Sequence, residues 1–376
     1  MARHWSIAFV VIAIACTRGP EGPGRSGPPP LVLPVGALPV DLAAGDLDGD
    51  GALDLVSADS RDRVISIRLQ RGGSWVAGEP VAIGFEPHLI ALADLDGDHD
   101  LDLVATSHDS GAVVVKLGDG TGRFTDAPGS PVTAFAVERP HNHGLAVGDL
   151  NGDGSADIVV ADQTQRAVAV LLADGRGGVA LAGPPIAAGG EVYPPALGDL
   201  DGDGRLDLVV PLLSTDGIAV MLGDGAGRFT PAAGSPYHTG RARPYSITLA
   251  DLDHDGALDV FAPHDDTNDI SVLLNDGHGA LRPAPGSPAS AGLRLWRASA
   301  ADVDGDGALD MIGAGSGSLI VFRGDGRGGL TVVRREPVDG WTAITADLDG
   351  DGRPDFATAD QRTNALLVWL SRNAGT

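Results

Sequence analysis

Residues 46–54 read DLDGDGALD, an acidic loop in which three alternating aspartates are followed by a fourth at the ninth position. The pattern recurs six times, and its first residue is then Asp94, Asp149, Asp199, Asp251, Asp302 or Asp347. Successive copies are 48, 55, 50, 52, 51 and 45 residues apart. A period of about 50 residues is typical of solenoids and propellers. The repeats therefore predict one domain of seven similar units over residues 31–376.

Each unit contains four short apolar runs separated by turn residues. In the second unit they are Ile90-Ala-Leu-Ala, Asp102-Leu-Val-Ala, Ala112-Val-Val-Val-Lys-Leu and a run that begins Arg123-Phe-Thr. Short β-branched runs bounded by Gly, Asp, Asn or Pro indicate strands. Four strands repeated seven times predict an all-β fold, a seven-bladed β-propeller of four-stranded antiparallel blades.

The two ends of the repeat region complement each other. The last unit stops after Asn364-Ala-Leu-Leu-Val-Trp-Leu370 without a fourth run, whereas an extra run, Leu31-Val-Leu-Pro-Val35, precedes the first unit. We expect this N-terminal run to supply the outer strand of the last blade and so close the ring. Pro34 is acceptable there because an outermost strand has one unpaired edge.

The first 30 residues are predicted to direct export. An apolar run of about ten residues after Arg3 and His4 is too short to span a bilayer, so residues 1–15 are interpreted as a signal peptide. Ala13-Ile14-Ala15-Cys16 resembles a bacterial lipoprotein signal, although Ala13 stands where leucine is usual. We expect lipidation of Cys16 and a membrane anchor at the cell envelope or surface. The alternative is an ordinary cleaved signal. Residues 16–30 are predicted to be a disordered Pro/Gly linker.

Charge and cysteine content narrow the function. The formal net charge of −25 argues against nucleic-acid binding, which needs a basic face. A hydrophobic content of 43% argues against a disordered acidic chain. The single cysteine excludes an intrachain disulfide. An exported domain of this kind needs another source of stability, and bound metal ions are the candidate.

The acidic loops have the composition of calcium sites. Calcium takes six to eight oxygen ligands, and carboxylates at positions 1, 3, 5 and 9 with a carbonyl at position 7 would supply them. Carboxylates packed this closely without a cation would raise one another's pKa and oppose folding. Position 12 carries no carboxylate and a strand follows the loop, so the loop is not an EF-hand. We predict up to seven calcium ions, held by the side chains of Asp46, Asp48, Asp50 and Asp54; Asp94, Asp96, Asp98 and Asp102; Asp149, Asn151, Asp153 and Asp157; Asp199, Asp201, Asp203 and Asp207; Asp251, Asp253, Asp255 and Asp259; Asp302, Asp304, Asp306 and Asp310; and Asp347, Asp349, Asp351 and Asp355.

Three loops depart from the pattern. Asn151 replaces one aspartate but still offers an oxygen. His254 replaces the glycine at position 4 of the fifth loop. His99 stands at position 6, where the other six loops have glycine, so we expect the second loop to be strained or reshaped and its site to be the most doubtful of the seven.

The repeat resembles the FG-GAP/VCBS family, whose integrin α-subunit relatives form seven-bladed propellers. The matching features are the DxDxDGxxD loop, the strand that follows it, and the GxGxF turn, as in Gly120-Thr-Gly-Arg-Phe124 and Gly225-Ala-Gly-Arg-Phe229. The resemblance implies calcium loops on one face of the ring and ligand contacts on the opposite face. The family includes adhesion modules, carbohydrate-binding modules and domains attached to enzymes, so it implies the fold more firmly than the function.

A second periodic set of residues marks a candidate ligand face. Six residues before each first aspartate stand Val40, His88, His143, Tyr193, Tyr245, Trp296 and Trp341. Two residues earlier, four of the positions are His141, Arg243, Arg294 and Asp339, and the loops after the second strands add Asp59, His108, Asp162, His264 and Asp360. By symmetry the aromatic residues should surround one mouth of the channel, where they suit sugars, peptides or another protein. The alternative is that these side chains only plug the channel or pack between blades.

The sequence favours a binding, adhesion or scaffold module, with an envelope protein or glycan as its ligand. No nucleophile elbow, phosphate loop or HExxH motif is present. The alternative is a carbohydrate-active lyase or hydrolase that uses acidic and histidine residues. His88, His108, His141 and His143 would form a transition-metal or acid–base site, provided that these side chains converge.

Overall fold

The computed structural model describes residues 29–371 of the chain. The predicted signal peptide, Cys16 and the linker up to residue 28 lie outside the described residues. Within residues 29–371 the secondary structure consists of strands, and no helix is long and apolar enough to cross a membrane. The strands form seven separate antiparallel sheets, each a blade, which confirms the predicted seven-bladed propeller.

Each blade has an inner, a second, a third and an outer strand. The inner strands are Pro39–Gly45, Pro87–Ala93, Asn142–Gly148, Ala196–Gly198, Thr248–Ala250, Leu295–Ala301 and Ala343–Ala346. The second strands are Asp54–Asp59, Asp102–Ser107, Asp157–Asp162, Asp207–Leu212, Asp259–Pro263, Asp310–Gly315 and Asp355–Asp360. The third strands are Val64–Arg71, Ala112–Gly118, Ala167–Ala173, Gly217–Gly223, Asp269–Asn275, Ser318–Gly324 and Ala365–Trp369. Every second strand begins at position 9 of an acidic loop.

The outer strand is broken into two pieces in the first five blades, and both pieces pair with the third strand. These pieces are Ser74–Ala77 and Val81–Ala82, Phe124–Asp126 and Val132–Thr133, Val179–Leu181 and Ile186–Ala187, Phe229–Pro231 and Tyr237–His238, and Leu281–Pro283 and Ala289–Ser290. At three of the breaks a serine hydroxyl accepts the third-strand N–H, as Ser130 Oγ does from Val115 at 2.9 Å. The side chain thus replaces the missing strand carbonyl. In the sixth blade the outer strand, Leu330–Glu336, is continuous.

The outer strand of the seventh blade is Leu31–Pro34, which pairs antiparallel with Ala365–Trp369. The N-terminal run therefore lies in the same sheet as the last three described strands of the chain. Leu33 is buried there together with Leu42 and Leu55 of the first blade. This strand consequently contributes both to its own blade and to the contact between blades 7 and 1.

The core is divided into seven apolar clusters, one between each pair of neighbouring blades. The third blade shows how one strand serves two clusters. Ile158 and Val160 pack against blade 2, whereas Val159 and Ala161 pack against blade 4. Successive side chains of a strand point to opposite faces, so a strand buried on both faces is apolar throughout.

Candidate functional site

The acidic loops share one backbone conformation. In the first loop Asp46 Oδ1 accepts the Gly49 N–H at 2.8 Å and Oδ2 accepts the Gly51 N–H at 3.0 Å. In all seven loops the residue at position 6 donates to Oδ2 of the first aspartate. Position 6 has a φ between +76° and +93°, the left-handed region that favours glycine. These contacts lie within the loop itself, so the nonapeptide specifies its own turn.

The aspartate at position 9 is buried and bonded through both carboxylate oxygens. Its Oδ2 accepts the N–H of position 2 of the same loop at 2.8–3.1 Å. Its Oδ1 accepts an N–H from a residue within two positions of the end of the third strand at 2.6–3.0 Å. Each of these carboxylates therefore fastens its loop to the end of the third strand. The spacing of the loop predicts the aspartate at position 9 only as a calcium ligand.

Burial raises the pKa of every position-9 aspartate, although the two backbone hydrogen bonds oppose the rise. The pKa of Asp54, Asp157 and Asp207 is raised to about 6. The pKa of the other four, Asp102, Asp259, Asp310 and Asp355, is raised to about 7. Repulsion from the aspartates at positions 1, 3 or 5 adds to the rise. The loops thus hold carboxylates whose charge is poorly compensated by the protein alone.

The donor set of the loops fits a hard divalent cation. In the first loop carboxylate oxygens of Asp46, Asp48 and Asp50 lie within 4.8 Å of one another, and equivalent groups occur in the fourth and fifth loops. In the second loop the corresponding group is Asp94, Asp96 and the position-9 aspartate, Asp102. Asp48 Oδ1 and Asp253 Oδ1, both at position 3, are buried without a hydrogen-bond partner. A buried carboxylate oxygen without a donor is costly, and a bound cation would remove that cost.

In the first and sixth loops an arginine lies beside the carboxylate at position 3. Arg71 approaches Asp48 of the first loop at 2.6 Å, and Arg323 approaches Asp304 of the sixth loop at the same distance. Each arginine contacts the position-3 carboxylate, which is also a predicted ligand. These two loops therefore combine the calcium-type donor set with a fixed positive charge beside it.

The two histidine departures keep the common turn. His99 has a φ of +76° and donates its N–H to Asp94 Oδ2 at 3.0 Å, as Gly51 does in the first loop. The second loop is therefore strained rather than reshaped, because a residue with a Cβ occupies the left-handed region. His254 likewise has a φ of +62°. In the third loop Asn151 Oδ1 accepts the Asp153 N–H at 2.9 Å.

At the opposite ends of the inner strands, the six predicted ring side chains form a continuous layer. His143 stacks on Tyr193 with ring centroids 4.3 Å apart, Tyr193 contacts Tyr245 at 4.7 Å, and Tyr245 contacts Trp296 at 4.9 Å. On the other side, His88 lies 5.5 Å from His143 and 6.2 Å from Trp341. The seventh position is the buried Val40. Because an inner strand rises about 3.3 Å per residue, six residues place this layer roughly 20 Å from the acidic loops.

The layer has an exposed side and a charged rim. Trp341 is 40% exposed, the most of the six, whereas His143 and Tyr193 are buried. Arg294 lies over the Trp296 ring at 5.1 Å, a cation–π contact. Arg243 and Arg294 both pair with Asp265, at 3.0 Å and 3.4 Å. Aromatic faces therefore stand next to charged hydrogen-bonding groups.

An ion pair between blades 1 and 6 accompanies the aromatic layer. Arg297 Nη1 contacts Asp41 Oδ1 at 3.0 Å, although the two residues belong to blades separated by the seventh. Burial raises the pKa of Asp41, while the Arg297 charge and the Ile90 N–H oppose the rise. Both residues directly follow the aromatic positions, at Val40 and Trp296. When the seven repeats are aligned, the position after the aromatic residue holds one acid, Asp41, and one base, Arg297, and this is the sequence signal for the pair.

Four histidines converge beside the layer. His141 Nε2 and His143 Nε2 are 2.6 Å apart. The His108 ring lies 4.1 Å from His141 and 4.7 Å from His143 between centroids, and 5.3 Å from His88. Burial, reinforced by neighbouring imidazoles, lowers the pKa of His88 to about 3 and that of His143 to about 2. The four histidine side chains therefore converge, as a histidine site would require.

The aspartates of the loops after the second strands are not available to a ligand on this face. Asp59, Asp162 and Asp360 are fully buried. Each accepts an N–H from the segment that enters its inner strand: Gly36 at 2.8 Å, His141 at 2.6 Å and Asp339 at 2.8 Å. His264 is also buried and bonds the Ala242 carbonyl and Ser271 Oγ. These four residues hold loops in place. Of the five residues predicted on the loops after the second strands, His108 is the one that belongs to the histidine cluster.

The sequence matches a family of repeats of this type. Five overlapping stretches, residues 46–105, 94–160, 149–210, 212–262 and 302–358, match the family described as FG-GAP-like repeat. No curated protein sequence matches the chain significantly.

Solved structures resemble the fold over nearly the whole chain. BBS1N, solved in complex with ARL6DN, has a TM-score of 0.62 at 14% identity and covers 93% of this chain and 99% of its own. An Agrocybe aegerita lectin that recognises non-reducing terminal N-acetylglucosamine has a TM-score of 0.56 at 20% identity, with 88% and 85% covered. A catalytically inactive virginiamycin B lyase from Staphylococcus aureus, solved with quinupristin, has a TM-score of 0.53 at 13% identity, with 90% and 95% covered. At these identities the likeness concerns the fold alone.

Proposed function

This chain belongs to the FG-GAP-like repeat family, and on that premise we propose that it is a calcium-stabilised binding module of the cell envelope, whose ligand docks on the aromatic layer opposite the acidic loops. The observation that carries the proposal is the unbroken series of ring contacts from Trp341 through His88, His143, Tyr193 and Tyr245 to Trp296. The acidic loops would hold the calcium ions and keep the blades in place. Binding would occur at the other end of the inner strands.

A glycan is the ligand class to test first. Sugar rings pack their C–H faces on tryptophan and tyrosine, and their hydroxyls bond to charged side chains. Trp296 and Trp341 offer the first feature, and Arg243, Arg294 and Asp265 offer the second. One of the structures with a similar fold is a lectin that recognises non-reducing terminal N-acetylglucosamine, which supports a glycan as the first class to test. An envelope protein remains the other candidate ligand.

Truncation of the two tryptophans tests the ligand face. A glycan array probed with the protein in calcium should give hits, and titration calorimetry should then show at least about 10-fold weaker binding for Trp296→Ala and Trp341→Ala. Trp75→Ala is the matched control because Trp75 lies on the outer strand of the first blade. Unchanged affinity in both variants would mean that the rings only plug the channel.

A lyase or hydrolase is the second candidate function, and the histidine cluster is the observation that favours it. Histidine is the side chain that most often acts as a general acid or base in enzymes, and four histidines converge at this layer. The two functions differ in turnover, so each glycan hit should be incubated with the protein and examined by mass spectrometry. An intact glycan supports binding, whereas a cleavage product that disappears in His143→Ala supports the enzyme.

We also propose that the protein is exported and attached to the membrane through a lipid on Cys16, with residues 17–30 as the spacer. Support comes from the apolar run of residues 5–15 and from the position of the only cysteine. Expression of the full chain in a bacterial host should place it in the membrane fraction, and Cys16→Ala should release it into the soluble fraction. A Cys16→Ala protein that stays in the membrane fraction would contradict the lipid anchor.

A further inference from the structure

We propose that His108, His141 and His143 form a site for one borderline divalent transition-metal ion such as Zn²⁺, separate from the calcium-type loops, with His88 available as a fourth ligand. Four of the ten histidines of the chain meet at this point. They come from two neighbouring blades and lie at the end of the inner strands that is opposite the acidic loops.

The spacing of the nitrogens suits a metal of that kind. Each of the three histidines offers a ring nitrogen, and these nitrogens lie within 4.8 Å of one another. Ligands at about 2.0–2.1 Å around a tetrahedral zinc ion lie about 3.3 Å apart. Small rotations of the side chains would therefore bring all three nitrogens to one ion, without movement of the strands that carry them.

Two features of the hydrogen bonding leave room for a metal ion in this cluster. His141 Nε2 and His143 Nε2 face each other at 2.6 Å, so one of them donates its N–H to the lone pair of the other, and an ion would take the place of that shared proton. His88 Nδ1 is buried and has no hydrogen-bond partner. Neutral imidazoles with free lone pairs are the form that binds metals.

One histidine already has an orienting carboxylate. Asp109 Oδ1 lies 2.5 Å from His108 Nδ1, which leaves Nε2 of that ring for an ion. A carboxylate behind a metal-binding histidine fixes the ring orientation and increases its basicity. Nitrogen donors favour zinc, copper or nickel over calcium, so the acidic loops and this cluster would select different metals.

The test is zinc titration of the folded protein in millimolar calcium, against a chromophoric chelator that reports free zinc. The calcium keeps the acidic loops occupied. We expect one zinc per chain, at least about 100-fold weaker binding in His141→Ala and His143→Ala, and about 10-fold weaker binding in Asp109→Asn, which removes only the orienting charge. His278→Ala is the matched control because His278 lies in an exposed turn of the fifth blade.

Three results would overturn the inference: no stoichiometric zinc, zinc displaced by excess calcium, or equal affinity in the His278→Ala and His141→Ala proteins. Circular dichroism in calcium identifies any variant that fails to fold. His108→Gln then serves instead, since the His108 side chain is 36% exposed and its loss leaves the core intact. Trp341→Ala should retain zinc although His88 and His143 belong to the aromatic layer, so loss of glycan binding and loss of zinc binding can be told apart.

Discussion

Removal of calcium should lower the melting temperature of this protein by at least about 10 °C. A ligand present at 100 times its dissociation constant stabilises the folded state by about 2.7 kcal/mol per site. Because the unfolding entropy is about 2.1 cal/mol/K per residue, each kcal/mol changes the melting temperature of a chain of this size by roughly 1–1.5 °C. Seven loops with the calcium-type donor set would therefore make the effect large even if only some sites are filled. The measurement is calorimetry in 2–5 mM calcium, roughly the extracellular range, and again in excess EDTA.

The acidic loops should affect the whole ring because they lie at the contacts between blades. The apolar residue at position 2 of the loop is buried in an inter-blade cluster, as Leu47, Leu150 and Leu252 are. Its carbonyl accepts an N–H from the glycine-rich turn of the next blade, for example Gly122 to Leu47 at 2.8 Å and Gly227 to Leu150 at 3.0 Å. A loop that relaxes without its ion would loosen both contacts.

The calcium-free protein should also become less stable as the pH rises. The position-9 aspartates have folded-state pKa values raised to about 6 or 7, for example in Asp157 and Asp310, above about 3.9 for an unfolded aspartate. Between these values the folded state binds more protons than the unfolded state. Stability therefore falls as the pH increases from about 4 to about 7. In EDTA the melting temperature should be higher at pH 5 than at pH 7.5, and calcium should reverse that order.

Two controls separate a specific site from simple charge screening. Sodium chloride at matched ionic strength should restore little of the stability lost in EDTA. Magnesium should restore less than calcium, because it requires a near-ideal octahedral shell at about 2.0–2.1 Å. Identical melting curves in calcium and in EDTA would eliminate the structural role of calcium.

The largest effect of a single substitution is expected at position 9. Asp157→Ala removes a buried carboxylate that accepts the Leu150 N–H at 2.9 Å and the Ala173 N–H at 2.8 Å. Each orphaned buried N–H costs about 1–3 kcal/mol. Urea unfolding should therefore show a loss of about 3 kcal/mol or more in EDTA as well as in calcium. Asp157→Asn should be intermediate, since its amide has a single acceptor oxygen.

Asp153→Ala in the same loop is the matched control. Asp153 is exposed and contributes hydrogen bonds only within the loop. Its loss should have little effect in EDTA and should reduce only the stabilisation that calcium adds. If Asp157→Ala and Asp153→Ala behaved alike in EDTA, position 9 would have no role beyond metal binding.

Several features could be predicted from the sequence because they depend on local or periodic information. The hydrogen bonds that shape an acidic loop run between residues no more than seven apart, as Asp46 to Gly51 and Asp54 to Leu47 show. The strands follow from apolar runs between glycine and aspartate turns. Repetition then places equivalent positions at equivalent points of a ring. The position six residues before the first aspartate of each loop is therefore enough to predict that Tyr193, Tyr245 and Trp296 lie side by side.

Spacing alone could not assign roles to individual side chains. In the sequence Asp59, Asp162 and Asp360 look like exposed acidic residues of surface loops. Each is nevertheless buried, because the segment that enters the inner strand lies over it and donates an N–H to it. Position 9 appeared to be a metal ligand only, whereas its neighbours in space also make it a fastening point between the loop and the third strand.

The seven blades, the acidic turns and the aromatic positions are thus predictable from the order of residues, since all of these arise from local hydrogen bonds and from repetition. The pairing of Arg297 with Asp41, 256 residues away, is visible only in three dimensions, and so is the contact of His88 and His108 of one blade with His141 and His143 of the next. Those contacts depend on the direction of each side chain and on the closure of the ring. Neither is encoded in the distance between residues along the chain.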